Sequence, residues 1–328
     1  VVSAEFTGTA GFIGLGNVGG KLAGSLLRNG VDLVVRDLDR AAAQPFLDGG
    51  AAWADSPREL AERCDVVITC LPSPAASAAV MDGADGVLAG LRPGTIWLEM
   101  STTDDGEIRR LAAKVAERGG SAIDCPVSGG CHRAATGNIS IFAGCDRETF
   151  ERALPLLTLL GRNILHTGDL GTASVLKVMT NYLATANLLS LVEALTTMAA
   201  AGLDLGTTYE AIRISSGNSF VHETESQLIL NGSRDIGFTM DLVLKDIGLF
   251  QAIAERHGVP LEINPMMIDI FRDGAARYGG SAWSDDIVRR FEEAAGRSIT
   301  APGFPAELVD HEPEVRGAEV VRGIPDQP

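Results

Sequence analysis

Residues 11–19 read G-F-I-G-L-G-N-V-G, and the fold follows from this stretch. An apolar run of strand length (residues 11–15) leads into Gly14, Leu15, Gly16, Asn17, Val18 and Gly19. A helix-like segment over residues 18–28 follows, in which Leu22 and Leu26 fall on one inward face. A dinucleotide requires this order. The first glycine makes the turn, the second lets backbone approach a pyrophosphate, and the third lets the helix pack on the strand. The helix N-terminus then offers N–H groups and partial positive charge to phosphate. Asp37 closes the next apolar run, at about the spacing expected of a carboxylate that accepts from the adenosine ribose hydroxyls. Its charge would repel a 2′-phosphate, and Leu38 follows where a phosphate-preferring site would favour Arg. The reading is therefore NAD over NADP, with Arg36 and Arg40 nearby keeping NADP open.

Outward from this turn, short apolar runs alternate with amphipathic stretches: residues 33–36, 66–71, 95–100, 122–127, 139–143 and 163–166. Between two of them, Ile108, Leu111 and Val115 recur at helical spacing. Such alternation predicts an α/β fold, a Rossmann-type doubly wound parallel sheet over residues 1–168. Beyond residue 168 the pattern becomes helical throughout. A long interdomain helix (171–201) is followed by segments near 207–215, 220–230, 240–257, 265–278 and 285–295. Asp204 and Asn218 read as helix starts, and Gly202, Gly217 and Gly258 as stops. An all-helical domain is thus expected over 169–296. Residues 297–328, acidic and Pro-containing with little periodicity, are expected to form a mobile tail. No internal repeat of 20 to 50 residues is evident.

The chain of 328 residues has Lys+Arg 27 against Asp+Glu 43, a net charge of −16 that repels phosphate backbones and anionic head groups. Nucleic acid and membrane are not expected partners. Five cysteines (Cys64, Cys70, Cys125, Cys131, Cys145) make no C-x-x-C pair and cannot all close into disulfides, which fits a reducing, cytoplasmic setting. The first residues lack the basic start and apolar core of a signal peptide. Residues 182–203 have the length of a membrane span but carry Asn187, Ser190, Glu193, Thr196 and Thr197, and read as a buried helix. His132, His166, His222, His257 and His311 show no paired spacing with each other or with cysteines, so no metal site is expected.

Two further segments carry candidate chemistry. Residues 124–130, D-C-P-V-S-G-G, leave a strand. There Ser128, Gly129 and Gly130 can aim a hydroxyl and consecutive amides at one small anion, although alone the segment is equally an ordinary turn. In G-T-A-S-V-L-K-V-M-T-N (171–181), Lys177 and Asn181 stand four apart on one face of an otherwise apolar helix. A buried ammonium is costly unless it pairs or functions. The bland alternative is a lysine whose stem packs while its head reaches water. Lys245, Asp246 and Ile247 form a third candidate, which alone reads as a solvated helix face.

In this order, G-F-I-G-L-G-N-V-G, D-C-P-V-S-G-G, G-T-A-S-V-L-K-V-M-T-N and F-T-M-D-L-V-L-K-D-I resemble the β-hydroxyacid dehydrogenase family over residues 11–295. The resemblance implies Lys177 as the catalytic lysine and Asn181 as a substrate contact. It implies Ser128, Gly129 and Gly130 as the cradle of the substrate carboxylate and Lys245 beside the cofactor. Leu71 and Pro72 match the family's L-P at a strand end near the nucleotide, and Thr102 its S-T after the next strand. Three departures bear on the substrate: Glu99 in E-M-S-T where D-x-S-T is usual, His132 and Arg133 after the cradle, and Phe220 where relatives often have Trp.

The implied activity is reversible hydride transfer between NAD and a short 3-hydroxy acid or its aldehyde acid. Lys177 would exchange the hydroxyl proton, which requires a lowered pKa from burial and a cationic neighbour such as Lys245. His132 is an alternative proton carrier with a plainer reading as a loop histidine; His166, at a strand end, reads as structural. The rivals are a 6-phosphogluconate dehydrogenase relative, which would need phosphate ligands, and a non-catalytic cofactor-binding scaffold, which would not need Lys177. The long apolar helix leads us to expect a homodimer or homotetramer.

Overall fold

The computed structural model describes residues 5–321; the reading of residues 1–4 and the end of the expected tail, residues 322–328, lie outside it. The chain divides into two compact units, Val1–Lys177 with Asp310–Pro328, and Val178–Val309.

The first unit holds one sheet of β1 (Thr9–Ile13), β2 (Asp32–Arg36), β3 (Ala52–Trp53), β4 (Val66–Thr69), β5 (Ile96–Glu99), β6 (Ser121–Asp124), β7 (Val127–Ser128), β8 (Ser140–Gly144), β9 (Asn163–Gly168) and β10 (Ala318–Glu319). Their order is β10-β9-β8-β6-β5-β4-β1-β2-β3, with β7 on β8. Pairing is parallel except where β8 meets β6 and β7. The helices are α1 (Gly19–Arg28), α2 (Gln44–Asp48), α3 (Pro57–Arg63), α4 (Pro74–Asp82), α5 (Val87–Gly90), α6 (Asp105–Glu117), α7 (Gly130–Ala135) and α8 (Arg147–Leu160). Alternation along the strands sends side chains to two cores. Phe12, Leu33, Ile68 and Leu98 pack with Leu22 and Leu26 on one face. Ile13, Val34, Val67 and Trp97 pack with Leu60, Ile108 and Leu111 on the other. Both faces are covered, as a doubly wound sheet demands. The strand order reverses at β1, whose neighbours are β2 and β4, so a crevice opens there beyond the carboxyl ends of the strands.

Helix α9 (Thr172–Ala200) runs from the first unit into the second, followed by α10 (Leu205–Arg213), α11 (Phe220–Asn231), α12 (Met240–Arg256), α13 (Ile263–Tyr278) and α14 (Val288–Ala295). Val192, Leu195, Val243, Ile247, Met267 and Phe271 belong to the core of this second unit. Asp204 caps α10 by accepting from the Thr207 amide. The cap of α11 is Ser219, with Asn218 accepting from the Ser219 amide one residue earlier than the hydroxyl that serves the helix. Helix α9 is long and apolar enough to cross a membrane, yet it carries Lys177 and Glu193 and contributes Leu188, Leu191 and Val192 to the second core.

Residues 310–321 differ from expectation. Instead of trailing as a mobile tail, β10 adds to the sheet beside β9, with Ala318 opposite Asn163 and Glu319 opposite Ile164. The acidic residues that suggested solvation have partners: Asp310 with Thr136, Glu312 with Arg162, Glu314 with Arg28, and Glu319 with Arg147. The segment is extended, so it shows no helical period. Its partners lie far away in sequence, which is why composition alone misreads it.

Candidate active site

The first turn is built as its glycines require. Gly14 adopts φ +99°, and a Cβ there would stand 2.3 Å from the Cys70 carbonyl oxygen. At Gly19 a Cβ would stand 2.0 Å from the Gly14 oxygen, so only glycine lets α1 start this close to β1. Gly16 is exposed and a Cβ there would meet nothing within 4 Å, which leaves its backbone open to an approaching group. Val18 at the N-cap makes no side-chain hydrogen bond, and the first turn of α1 holds no acid. Beside the turn, Asp37 at the end of β2 accepts from the Leu15 amide at 2.6 Å and the Asp39 amide at 2.9 Å. Arg36 and Arg40 lie over the Trp53 ring at 5.0 and 5.2 Å. Open backbone, an uncapped helix start and a carboxylate at the second strand end fit the pyrophosphate and ribose of a dinucleotide.

Across the strand-order reversal, Leu71 and Pro72 follow β4 and Thr102 follows β5. The Leu71 amide donates to the Ser101 hydroxyl at 2.7 Å, and that hydroxyl donates to Glu99. Glu99 is fully buried at the end of β5, where burial raises its carboxyl pKa and hydrogen bonds from Ser101 act against the shift. The glutamate that departs from the usual motif thus supports the L-P loop through a serine.

The candidate anion cradle leaves β7 with Gly129 at φ +129° and Gly130 at φ +84°, after which α7 begins. Lys177, 7% exposed, donates from Nζ to the Ser128 hydroxyl at 3.4 Å. The lysine and the cradle, 49 positions apart in sequence, therefore meet. Asp124 sets the helix that carries the lysine. It accepts from the Ser174 amide at 2.8 Å and the Ser174 hydroxyl at 2.7 Å, fixing the first turn of α9. Burial pushes its carboxyl up to about 6. His132 stands in α7, half-buried, with its pKa lowered by burial and then by Arg133. His166 bonds the Cys145 carbonyl oxygen at 2.8 Å and packs on Phe150.

In the second unit the K-D-I segment is not a solvated face. Asp246 is 1% exposed and Ile247 belongs to the core. Asp246 accepts from the Asn181 amide group at 2.5 Å, and the Lys245 ammonium lies 2.8 Å from its other oxygen. Asn181 and Lys245, separate candidates in the sequence, are gathered by Asp246, which the sequence alone places on a solvated helix face. Asp124 and Glu99 share one detectable signal, an acid closing a buried strand, whereas Asp246 stands beside Lys245 in a helix with several other charges and carries none. Among the described residues, no group of three or more His, Cys, Asp or Glu is placed to hold a metal ion.

This fold and site define a dinucleotide-dependent oxidoreductase. Residues 9–168 match the family described as the NAD-binding domain of 6-phosphogluconate dehydrogenase, and residues 171–291 the NAD-binding region of NADP-dependent 3-hydroxyisobutyrate dehydrogenase. The chain is 34% identical to 2-(hydroxymethyl)glutarate dehydrogenase of Eubacterium barkeri, over 88% of this chain and 97% of that one. It is 35% identical to the NAD-dependent L-serine dehydrogenase of Pseudomonas aeruginosa, over 80% and 90% of the two chains. The crystal structure of 3-hydroxyisobutyrate dehydrogenase from Salmonella typhimurium superposes with a TM-score of 0.80 at 27% identity, covering 86% of this chain and 99% of that one. The chain belongs to the β-hydroxyacid dehydrogenase family and is an NAD(P)-dependent oxidoreductase acting on CH–OH groups.

Proposed function

We propose that the substrate is a short acid of the form HO–CH2–CH(R)–COO−, converted reversibly to its aldehyde acid. The acids named for the three relatives, 3-hydroxyisobutyrate, L-serine and 2-(hydroxymethyl)glutarate, share this core and differ only at R. The observation that carries the reading is the buried Lys177 ammonium in hydrogen-bond reach of Ser128 at the mouth of the Gly129–Gly130 turn. Ser128 and the amides of Gly129 and Gly130 bind the carboxylate, which puts the β-hydroxyl beside Lys177. As a neutral amine Lys177 takes the hydroxyl proton during oxidation, and as an ammonium it returns that proton during reduction. The family resemblance assigns Asn181, oriented by Asp246, to the substrate and Lys245 to the cofactor.

When bound, NAD(P) supplies the acceptor or donor of the hydride that leaves or joins the carbinol carbon. Gly14, Leu15, Gly16, Asn17, Val18 and Gly19 hold its pyrophosphate, while Leu71, Pro72 and Thr102 flank it. NAD is preferred to NADP. The Asp37 carboxylate, held by the Leu15 amide, would accept from the ribose hydroxyls and repel a 2′-phosphate, and both nearby arginines are engaged with Trp53.

The test follows the absorbance of reduced nicotinamide with a panel of HO–CH2–CH(R)–COO− acids and both cofactors. Lys177→Ala should retain NADH binding by fluorescence and lose turnover by roughly 10²- to 10⁴-fold. Near-normal turnover in that variant would refute the role of the lysine. Tight NADH binding with no turnover on any acid would point to a scaffold instead.

A further inference from the structure

We propose that residues 310–319 form a strap that fixes the far ends of the two helices leading away from the site, with Glu314 and Asp310 as positioning residues. The strap lies beyond the residues that the family models match, which end at 291.

Helix α1 opens on the dinucleotide loop and ends at Arg28; α7 opens at Gly130 of the cradle and ends against Thr136. Arg28 donates from Nη2 to the Ala135 carbonyl oxygen at 2.8 Å, which ties the two far ends together. Glu314 locks that tie. It accepts from Arg28 Nε at 3.1 Å and from the Asn29 side chain at 3.1 Å, and lies 3.0 Å from the Ser25 hydroxyl, whose single proton it shares with the Leu159 carbonyl oxygen at 2.7 Å. Asp310 does the same for α7, accepting from the Thr136 hydroxyl and, at 2.8 Å, from the Asn138 side chain. Backbone pairing sets the register of the strap: Gly317, Ala318 and Val320 donate to Thr158, Arg162 and Ile164 at 2.9, 2.9 and 2.7 Å. Gly317 has no room for a side chain, since a Cβ would stand 1.9 Å from the Gly161 oxygen.

A single exposed ion pair holds little. Here one carboxylate gathers Arg28 and the C-cap Asn29 at the end of one helix, on a segment already pinned as a strand. Because a short helix moves as a rigid rod, slack at Arg28 or Thr136 becomes misplacement at Gly19 or Gly130, and site geometry tolerates little of that. The consequence for ligands rests on the reading of the glycine loop as the dinucleotide site.

The full-length variants Gly317→Ala, Glu314→Ala and Asp310→Ala are compared with wild type by hydrogen exchange, NADH fluorescence titration and steady-state kinetics. Exchange of amides over residues 25–31 and 130–138 should quicken by about tenfold. NADH dissociation constants and substrate KM should rise by roughly three- to tenfold, with kcat changed less, and Glu314→Gln, which keeps an acceptor, should recover part of the loss. Faster exchange confined to residues 310–321, with α1 and α7 unchanged, overturns the proposal. If wild type binds no NADH, the functional reading fails while the exchange result still decides the strap.

Discussion

The glycine loop over residues 14–19 and the proposed anion cradle over residues 128–130 are both glycine turns at strand ends, yet their glycines meet different constraints. In the loop a steric need is added to, or replaces, the conformational one: a Cβ at Gly14, itself at φ +99°, or at Gly19 would meet backbone oxygen at 2.3 or 2.0 Å. In the cradle the need is conformational. Gly129 sits at φ +129°, where a Cβ would meet side chains alone, Arg133 at 3.3 Å and Ile139 at 3.6 Å, and no backbone atom among its nearest neighbours. A backbone oxygen cannot yield without moving a strand or a helix, whereas a strained dihedral can relax by letting a short loop rearrange. The loop is thus part of the framework of the fold, and the cradle is a device held in shape by it.

The contrast breaks first at Gly19. Gly19→Ala must push α1 away from β1 and is expected to cost about 1–3 kcal/mol or more, read as a fall in the urea midpoint with dinucleotide binding lost in parallel. Unchanged stability would mean that the helix start is not locked. Gly129→Ala should cost less, about 1–2 kcal/mol of strain, and act mainly on turnover, because relaxing the turn displaces Ser128 from Lys177. Equal losses of stability in the two variants would erase the distinction between framework and device.

Much of the framework was legible because backbone requirements leave marks in single residues. A glycine at each crowded position, an acid at the second strand end and apolar runs at strand length predict the sheet and its first turn without any partner being known. The alternation also placed Leu22, Leu26, Ile108, Leu111 and Val115 in the core, where all five are buried. What escaped depends on pairs distant in sequence. Asp246 is an acid in a helix until Asn181 donates to it from 65 positions away, and Glu314 is a solvated tail residue until Arg28 does so from 286. Strand β3, two residues long, and β10, two residues at the end of an acidic segment, carry too few apolar residues for period to show. The proximity of Lys177 to Ser128 is of the same kind, and sequence reached it only through resemblance.

Gly16 sharpens the comparison from the opposite side. It belongs to the same loop as Gly14 and Gly19, but a Cβ there meets no protein atom within 4 Å, so the framework does not ask for glycine at this position. Gly16→Ala should therefore leave stability within about 0.5 kcal/mol of wild type, as substitutions at exposed sites do. If the open space belongs to a pyrophosphate, the added methyl intrudes on the ligand alone and NAD(H) affinity should fall by about tenfold, roughly 1.4 kcal/mol. Thermal unfolding with and without NADH separates the two effects: the apo midpoint should hold while the upward shift given by NADH shrinks. An undiminished shift would mean that the space beside Gly16 is ordinary solvent, and that the phosphates are held elsewhere in the crevice.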